Sequence, residues 1–186
     1  TEPIAIAYAA AKARDVLGTF PESVIVKCSG NMIKNARCVT VPNTGDLVGI
    51  EASAIIGILA GKSHRKLEVI NEVSEEAIIK THELIQSDYC KVEFLDSEIE
   101  LHIIVDVFNK EESASIEIKH AHDNISSIIK DGEAIFKLEE DSNKYLGVFI
   151  DRSILSVEKI YEIANTMNID DVKELLDNQM KYNIDI

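Results

Sequence analysis

Apolar residues at the start of the chain follow a helical pattern. The stretch TEPIAIAYAAAKARDVLG is rich in alanine, carries Pro3 near its start and ends in Gly18, which predicts a helix through Leu17. The next stretch, ESVIVKCS, is a short run of β-branched residues and predicts a buried strand. GNMIKNARC predicts one or two helical turns, and VPNTGD predicts a loop because of its proline, asparagine and glycine.

A second, almost wholly apolar helix is predicted by LVGIEASAIIGILAG. Its small residues Gly49, Ser53 and Gly57 recur every four positions, so they share one face of the helix. A face made of small residues lets another helix pack at short distance. Gly61 is expected to end this helix.

From residue 62 the spacing changes to the alternation that is typical of a sheet with one solvated face. LEVINEV predicts a strand, and SEEAIIKTHELIQS predicts an amphipathic helix capped by its first serine. Three further strands are predicted by CKVEFLD, IELHIIVDVFN and SASIEIKHAH. NISSIIKDGEAIFKL predicts a hairpin that turns at Asp131-Gly132.

The carboxy-terminal stretch predicts two more helices, with Ser156 and Asp170 as their N-caps. We therefore expect an α+β fold in which a helical unit is interrupted by a small α/β sandwich with a mainly antiparallel sheet. Residues 1–61 form the first part of the helical unit, 62–151 form the sandwich, and 152–186 return to the helical unit.

Charge is distributed unevenly between these parts. The net charge of −14 at pH 7 excludes a general nucleic-acid binder, because affinity for phosphates depends on clustered Lys and Arg. Residues 1–61 carry five basic and five acidic side chains, so the acidic excess belongs to the rest of the chain. The longest apolar runs are too short to span a bilayer, and we expect no membrane partner.

The three cysteines Cys28, Cys38 and Cys90 follow neither a disulfide spacing nor a zinc spacing. An odd number of widely spaced cysteines indicates a reducing, cytoplasmic setting. We expect all three to be buried thiols that bind no metal.

Polar residues concentrate in SGNMIKN. Asn31, Lys34 and Asn35 lie along one face of the predicted helical turn, and either Ser29 or Asn31 is placed to cap it. Free N–H groups at that end suit an anion such as an amino-acid carboxylate, with Lys34 supplying charge. Capping together with a solvated lysine explains the same residues equally well.

Two of the five histidines stand close together in KHAHDNI. His120 and His122 point the same way if the strand continues that far, and such a pair can bind a metal, although no third ligand is in view. Asp123 and Asn124 more simply predict a turn. The other three histidines are expected on solvated faces.

Three blocks of the sequence resemble one family. TEPIAIAYAAAKA is similar to the amino-terminal signature of the L-cysteine desulfidases, which are related to the alpha part of iron–sulfur L-serine dehydratases. SGNMIKNARCVTVPNTGDLVGIEASAIIGILAG resembles the second block of that family, and HDNI followed by KDGEAIF resembles the third. The matches occur in the family's order along nearly the whole chain.

The resemblance implies an iron–sulfur lyase that converts L-cysteine to pyruvate, ammonia and sulfide, or L-serine to pyruvate and ammonia. A four-iron, four-sulfur cluster held by three cysteines would bind the substrate through its open iron. Lys34 is the candidate base provided that it is buried. His122 and Asn124 are candidates for contacting the substrate-binding residues and holding them in position. The expected substrate-binding residues are Thr1, Glu2, Ser29, Gly30, Asn31, Asn35, Asn43, Thr44 and Gly45.

The chain departs from this family at the cluster. The first cluster cysteine would precede Thr1, and the others belong to a carboxy-terminal half, so we expect no cluster ligand and no cofactor in this chain alone. We therefore expect an inactive fragment of a cytoplasmic enzyme whose partner is the missing half or a second copy. The alternative is a non-catalytic subunit that binds a small molecule for regulation.

Overall fold

The strands form one mixed sheet in the computed structural model, which describes residues 1–138 and 155–184. Within these residues the sheet has the order β2-β1-β3-β4-β5-β6, and the β1–β2 pair is parallel while the other pairs are antiparallel. The predicted α+β class with a mainly antiparallel sheet is confirmed. The strands are β1 (Ser23–Cys28), β2 (Cys90–Phe94), β3 (His102–Phe108), β4 (Ser113–Lys119), β5 (Ile125–Lys130) and β6 (Glu133–Lys137).

The helices begin and end largely where their local signals predict. Gly18 adopts a left-handed φ of 85° and donates its N–H to the Arg14 carbonyl, which closes the first helix. The Ser74 and Ser156 side chains cap their helices, whereas Asp170 is already the first residue of its helix. The helices are α1 (Glu2–Leu17), α2 (Gly30–Ala36), α3 (Ile50–Ala60), α4 (Glu75–Ile85), α5 (Val157–Thr166) and α6 (Asp170–Ile184).

The hydrophobic core lies between one face of the sheet and the helices α1 and α3. Helix α1 packs against α3, β3 and β4, and alternate residues of β1, β3 and β4 are buried beneath it. The opposite face carries half-buried charged side chains, among them Lys27 and Asp106, whose Nζ and Oδ2 atoms are 2.8 Å apart. This arrangement matches the predicted alternation of core-facing and polar positions.

One predicted strand is wrong, and another is shorter than predicted. Residues Ser63–Glu68 form 3-10 turns on either side of a kink at Lys66, and turns and bends follow them, so LEVINEV is not a strand. Its buried residues Val69 and Ile70 are adjacent in sequence, and a strand would send them to opposite faces. β4 ends at Lys119, because His120 adopts a left-handed φ of 68° that leaves the extended conformation.

The sheet takes strands from both sides of the boundary predicted at residue 61. β1 belongs to the range 1–61, yet it lies between β2 and β3, which belong to 62–151. The chain divides into two compact units, Thr1–Tyr145 and Leu146–Ile186. The return of residues 152–186 to the first helical unit stays a prediction. No helix within the described residues is both long and apolar enough to cross a membrane.

Candidate functional site

A pocket of about 540 Å³ opens where several elements end. It lies beside the first residues of α1 and α2, the loop that leads into β3 and the turn that follows β4. Its volume is in the range that small-molecule sites occupy. The lining residues are Glu2, Asn31, Met32, Glu98, Ile99, Glu100, Leu101, His120 and His122.

Strand register explains why these segments meet. Cys28 at the end of β1 pairs with Ile103 near the start of β3, and His102 pairs with Lys119 at the end of β4. The loops beyond these three strand ends therefore emerge at the same edge of the sheet. Because α2 follows β1 after a single residue, its first turn is brought to this edge as well.

Hydrogen bonds to backbone carbonyls hold the loop before β3 in place. The Ser29 hydroxyl donates to the Glu100 carbonyl at 2.6 Å, and its N–H donates to the His102 carbonyl at 3.0 Å. The His120 N–H donates to the Leu101 carbonyl at 3.0 Å. We call residues Ser97–Leu101 the pocket wall, since four of its five residues line the cavity.

Glu2 supplies a carboxylate to the pocket. Its pKa is lowered, chiefly by the hydrogen bond from its own backbone N–H at the start of α1, next by the Thr1 amino group 3.3 Å away, and least by the His122 ring. The Asn35 side-chain nitrogen lies 3.5 Å from the Glu2 carboxylate oxygen. Glu2 is therefore ionised at neutral pH and can accept hydrogen bonds from a cation.

His122, which lines the pocket, carries a buried unsatisfied atom. Its Nε2 is buried and has no hydrogen-bond partner among the described residues. A buried polar atom without a partner costs free energy, so such atoms are usually satisfied by water or a ligand. A bound molecule that offers a proton donor or acceptor to Nε2 would remove this cost.

The pocket brings together part of the predicted site. Glu2, Asn31 and His122 line it, Asn35 contacts Glu2, and the buried Ser29 side chain supports the pocket wall. These residues come from segments that are far apart in the sequence.

Other predicted residues have different surroundings. Thr1, Gly30 and Lys34 are exposed and do not belong to the described lining. Burial was the condition for Lys34 to serve as the base, so its exposure argues against that role. The Asn124 amide donates to the Lys119 carbonyl at 2.9 Å and thereby closes the turn after β4.

The loop that contains Asn43, Thr44 and Gly45 is organised by internal contacts. The Asn43 amide donates to the Ile70 carbonyl at 3.1 Å, and the Thr44 hydroxyl donates to the Val41 carbonyl at 2.7 Å. Gly45 has a φ of 76°, which favours glycine for conformational reasons. These contacts account for the three residues without a ligand.

Sequence reasoning missed the acidic part of the pocket. The predicted strand IELHIIVDVFN includes Glu100 and begins directly after Glu98, whereas β3 begins only at His102 and both glutamates lie in the pocket wall. Their acidic character alone does not distinguish them from the many other exposed acids of this chain. Their role depends on the pairing of β3 with β1 and β4, which is a tertiary property.

The cysteines do not fit an iron–sulfur cluster. Cys28 is fully buried in the core, and burial raises the pKa of its thiol to about 12, as it does for Cys90. Cluster ligands are thiolates, and a raised pKa disfavours the thiolate of Cys28 and Cys90 in the absence of a metal. Cys38 is exposed, and the expectation that all three would be buried is wrong for it. The described residues contain no group of three or more potential metal ligands.

This chain is similar to several curated proteins that are longer than it. A UPF0597 protein of Lachnoclostridium phytofermentans is 44% identical over 186 residues, which is 100% of this chain and 44% of that protein. A UPF0597 protein of Desulfitobacterium hafniense is 46% identical over 185 residues, covering 98% and 42% of the two chains. A UPF0597 protein of Treponema denticola is 38% identical, covering 99% and 43%.

The chain therefore spans less than half the length of these relatives. No protein-family model and no solved structure matches it.

Proposed function

We propose that this chain belongs with the UPF0597 proteins and forms the substrate-holding part of an amino-acid lyase. The substrate is L-cysteine, which yields pyruvate, ammonia and sulfide, or L-serine, which yields pyruvate and ammonia. The main support is that the three sequence blocks that resemble the desulfidase family meet at one pocket. Glu2 comes from the first block, Asn31 from the second and His122 from the third.

The charges of the pocket suit an amino acid. Ionised Glu2, together with Glu98 and Glu100, attracts the substrate ammonium group, and hydrogen bonds between ions of opposite charge are the stronger ones. The Asn31 amide can donate to the substrate carboxylate. The acidic lining therefore favours a ligand with a cationic group over a simple anion.

The reaction is a β-elimination. A base takes the α-proton, the electron pair of that bond forms a Cα–Cβ double bond, and the C–S or C–O bond breaks as the leaving group departs with the pair and takes a proton. Water then converts the resulting enamine to pyruvate and ammonia. His122 lines the pocket and is the residue that we assign to take the α-proton, because histidine is the most common general base in enzymes.

Because the cysteines do not fit a cluster, no step is assigned to one here. A four-iron, four-sulfur cluster stays part of the proposal only for a longer protein, with ligands outside the present sequence. The remaining half of such a protein or a second copy would be the partner, and the setting would be the cytoplasm. A net charge of −14 gives no basis for nucleic acid as a partner.

A second candidate function is a non-catalytic subunit that binds a small amino acid for regulation. The exposure of Lys34, the base expected from the sequence, favours it. Both functions use the same pocket, so they differ in turnover and not in binding.

Binding is tested with the 186-residue chain, L-cysteine and L-serine in calorimetric titrations. We expect Glu2→Gln to weaken affinity about tenfold or more, since it removes a charged hydrogen-bond partner. We expect His122→Gln to weaken affinity as well. His82→Gln is the matched control, because His82 is exposed on α4 and contacts Asp46 outside the pocket. Equal affinities in all four proteins would contradict the assignment of the pocket.

Turnover is tested with the natural full-length protein, reconstituted with iron and sulfide in the absence of oxygen. Pyruvate with an equal amount of sulfide from L-cysteine would support a desulfidase, and pyruvate from L-serine alone would support a dehydratase. Binding without any product would support the regulatory subunit. In the first two cases, His122→Gln is expected to lower kcat more than it changes KM, because the base acts in the transition state.

A further inference from the structure

A chain of hydrogen bonds connects the pocket wall with strand β4. Ser97 Oγ is 2.8 Å from His102 Nδ1, and His102 Nε2 is 3.0 Å from a carboxylate oxygen of Glu117 on β4. The backbone N–H of Ile99 donates to Ser97 Oγ at 3.2 Å. His102 is only 8% exposed, and neither His102 nor Glu117 belongs to the described lining of the pocket.

The surroundings of Glu117 fix the direction of these bonds. Its pKa is lowered to about 2, first by the hydrogen bond from His102 and then by those from Ser126 and Lys119. An ionised carboxylate only accepts, so His102 Nε2 must donate. In the neutral ring Nδ1 then accepts from the Ser97 hydroxyl, whose oxygen accepts from Ile99. This arrangement satisfies both ring nitrogens of His102, the Ser97 hydroxyl and the Ile99 N–H.

We propose that Ser97, His102 and Glu117 form a positioning relay that fixes the pocket wall against the sheet. The wall carries the Glu98 and Glu100 side chains into the pocket, so the relay determines where these carboxylates stand. The inference goes beyond the proposed function, since it concerns the wall whichever ligand binds.

The relay is not a hydrolase triad. In such triads the acid contacts Nδ1 of the histidine and the nucleophilic serine contacts Nε2. Here the order is reversed, since Ser97 contacts Nδ1 and Glu117 contacts Nε2. In the arrangement above, the Ser97 hydroxyl donates to His102 Nδ1, and the Ser97 oxygen accepts from the Ile99 N–H.

The relay is tested by nuclear magnetic resonance on the 186-residue chain. Nitrogen chemical shifts of His102 are expected to show the tautomer with hydrogen on Nε2. Glu117→Ala is expected to speed hydrogen exchange of the Ile99 amide about tenfold, by loosening Ser97. Glu117→Gln keeps an acceptor oxygen and is expected to restore slow exchange.

Asp106→Asn is the matched control. It breaks the Lys27–Asp106 ion pair on the same face of the sheet and is expected to leave Ile99 exchange unchanged. Where Glu117→Ala does not fold, His102→Gln takes its place with the same expected tenfold change.

Two results would overturn the relay: hydrogen on Nδ1 in the unsubstituted chain, or unchanged Ile99 exchange in the variants that remove the Glu117 or His102 contact. These outcomes are separate from those for the proposed function. If the tautomer and exchange results are as expected but the chain binds neither amino acid, the proposed function is refuted. The relay is supported in that case.

Discussion

Two glutamates of this protein are both ionised, yet they are available to a ligand to very different degrees. Glu2 has its pKa lowered mainly by its own backbone N–H, and its carboxylate lies in the pocket. Glu117 has its pKa lowered by three side chains, His102, Ser126 and Lys119, which occupy its oxygens. At the scale of the residue, Glu2 is therefore suited to recognition and Glu117 to holding structure.

The Glu117 contacts should make stability depend on pH in the acid range. The pKa of Glu117 falls from 4.5 to about 2 on folding, so its contribution is complete above 4.5 and is lost as pH falls through about 2. We expect Glu117→Gln to lower the free energy of unfolding by about 2 kcal/mol near neutral pH and to matter little at the acid end of that window.

Urea unfolding near neutral pH and in acid measures this difference. Glu83→Gln is the control, because Glu83 forms an exposed ion pair with Lys80 at 2.8 Å and should change stability little at either pH. A loss for Glu117→Gln that is the same in acid as at neutral pH would show that the contacts do not depend on its charge.

At the scale of the element, close packing of α1 and α3 depends on one glycine. A Cβ atom at Gly57 would lie 2.3 Å from the Ala7 carbonyl oxygen and 2.7 Å from the Ala7 Cα. Neither backbone atom can move without moving α1. Arg14 adds two hydrogen bonds across the same pair, to the carbonyls of Ile58 and Gly61 at 2.6 and 2.8 Å.

We expect Gly57→Ala to destabilise the protein by about 3 kcal/mol, because the added methyl group forces the two helices apart. Gly132→Ala is the comparison, since a Cβ there meets no atom within 4 Å and only the left-handed φ of 81° is unfavourable. Gly132→Ala should lower the free energy of unfolding by about 1 kcal/mol. Calorimetric melting temperatures of both variants measure the difference, and equal shifts would rule out the steric explanation.

At the scale of the whole molecule, the described hydrophobic core belongs to one unit. Its buried members run from Ala5 to Ile118, within the unit Thr1–Tyr145. Helices α5 and α6 belong to the other unit and contribute no buried residue to the described part of the chain. The first unit therefore contains the interactions on which its own folding depends.

A chain that ends at Tyr145 is accordingly expected to fold. We expect its melting temperature to lie within about 5 °C of that of the 186-residue chain, since the truncation removes no residue of the described hydrophobic core. Circular dichroism during heating measures this. A shortened chain without a cooperative transition would show that residues beyond 145 are needed for the core.

Much of the fold could be predicted because helix ends, hairpins and alternation depend on neighbouring residues. Gly18 ends α1, Ser74 caps α4, and the turn at Asp131-Gly132 has the two positive φ values, 52° and 81°, that a tight hairpin requires. The alternating burial of β4 likewise follows its sequence pattern. LEVINEV has an apolar pattern like that of a strand and is therefore predicted to be one. It is not extended, because its neighbouring residues Val69 and Ile70 are both buried.

The site depends on contacts that no local pattern contains. The insertion of β1 between β2 and β3 brings the first turn of α2 to the pocket edge, and the pairing of β3 with β4 brings His122 there. Only the tertiary structure shows that Lys34 is exposed and that His122 Nε2 has no partner among residues 1–138 and 155–184. Sequence alone determined the elements and their polarity, because these arise from interactions a few residues apart. Tertiary structure decided which polar groups share a cavity, because that depends on strand order and register between distant segments.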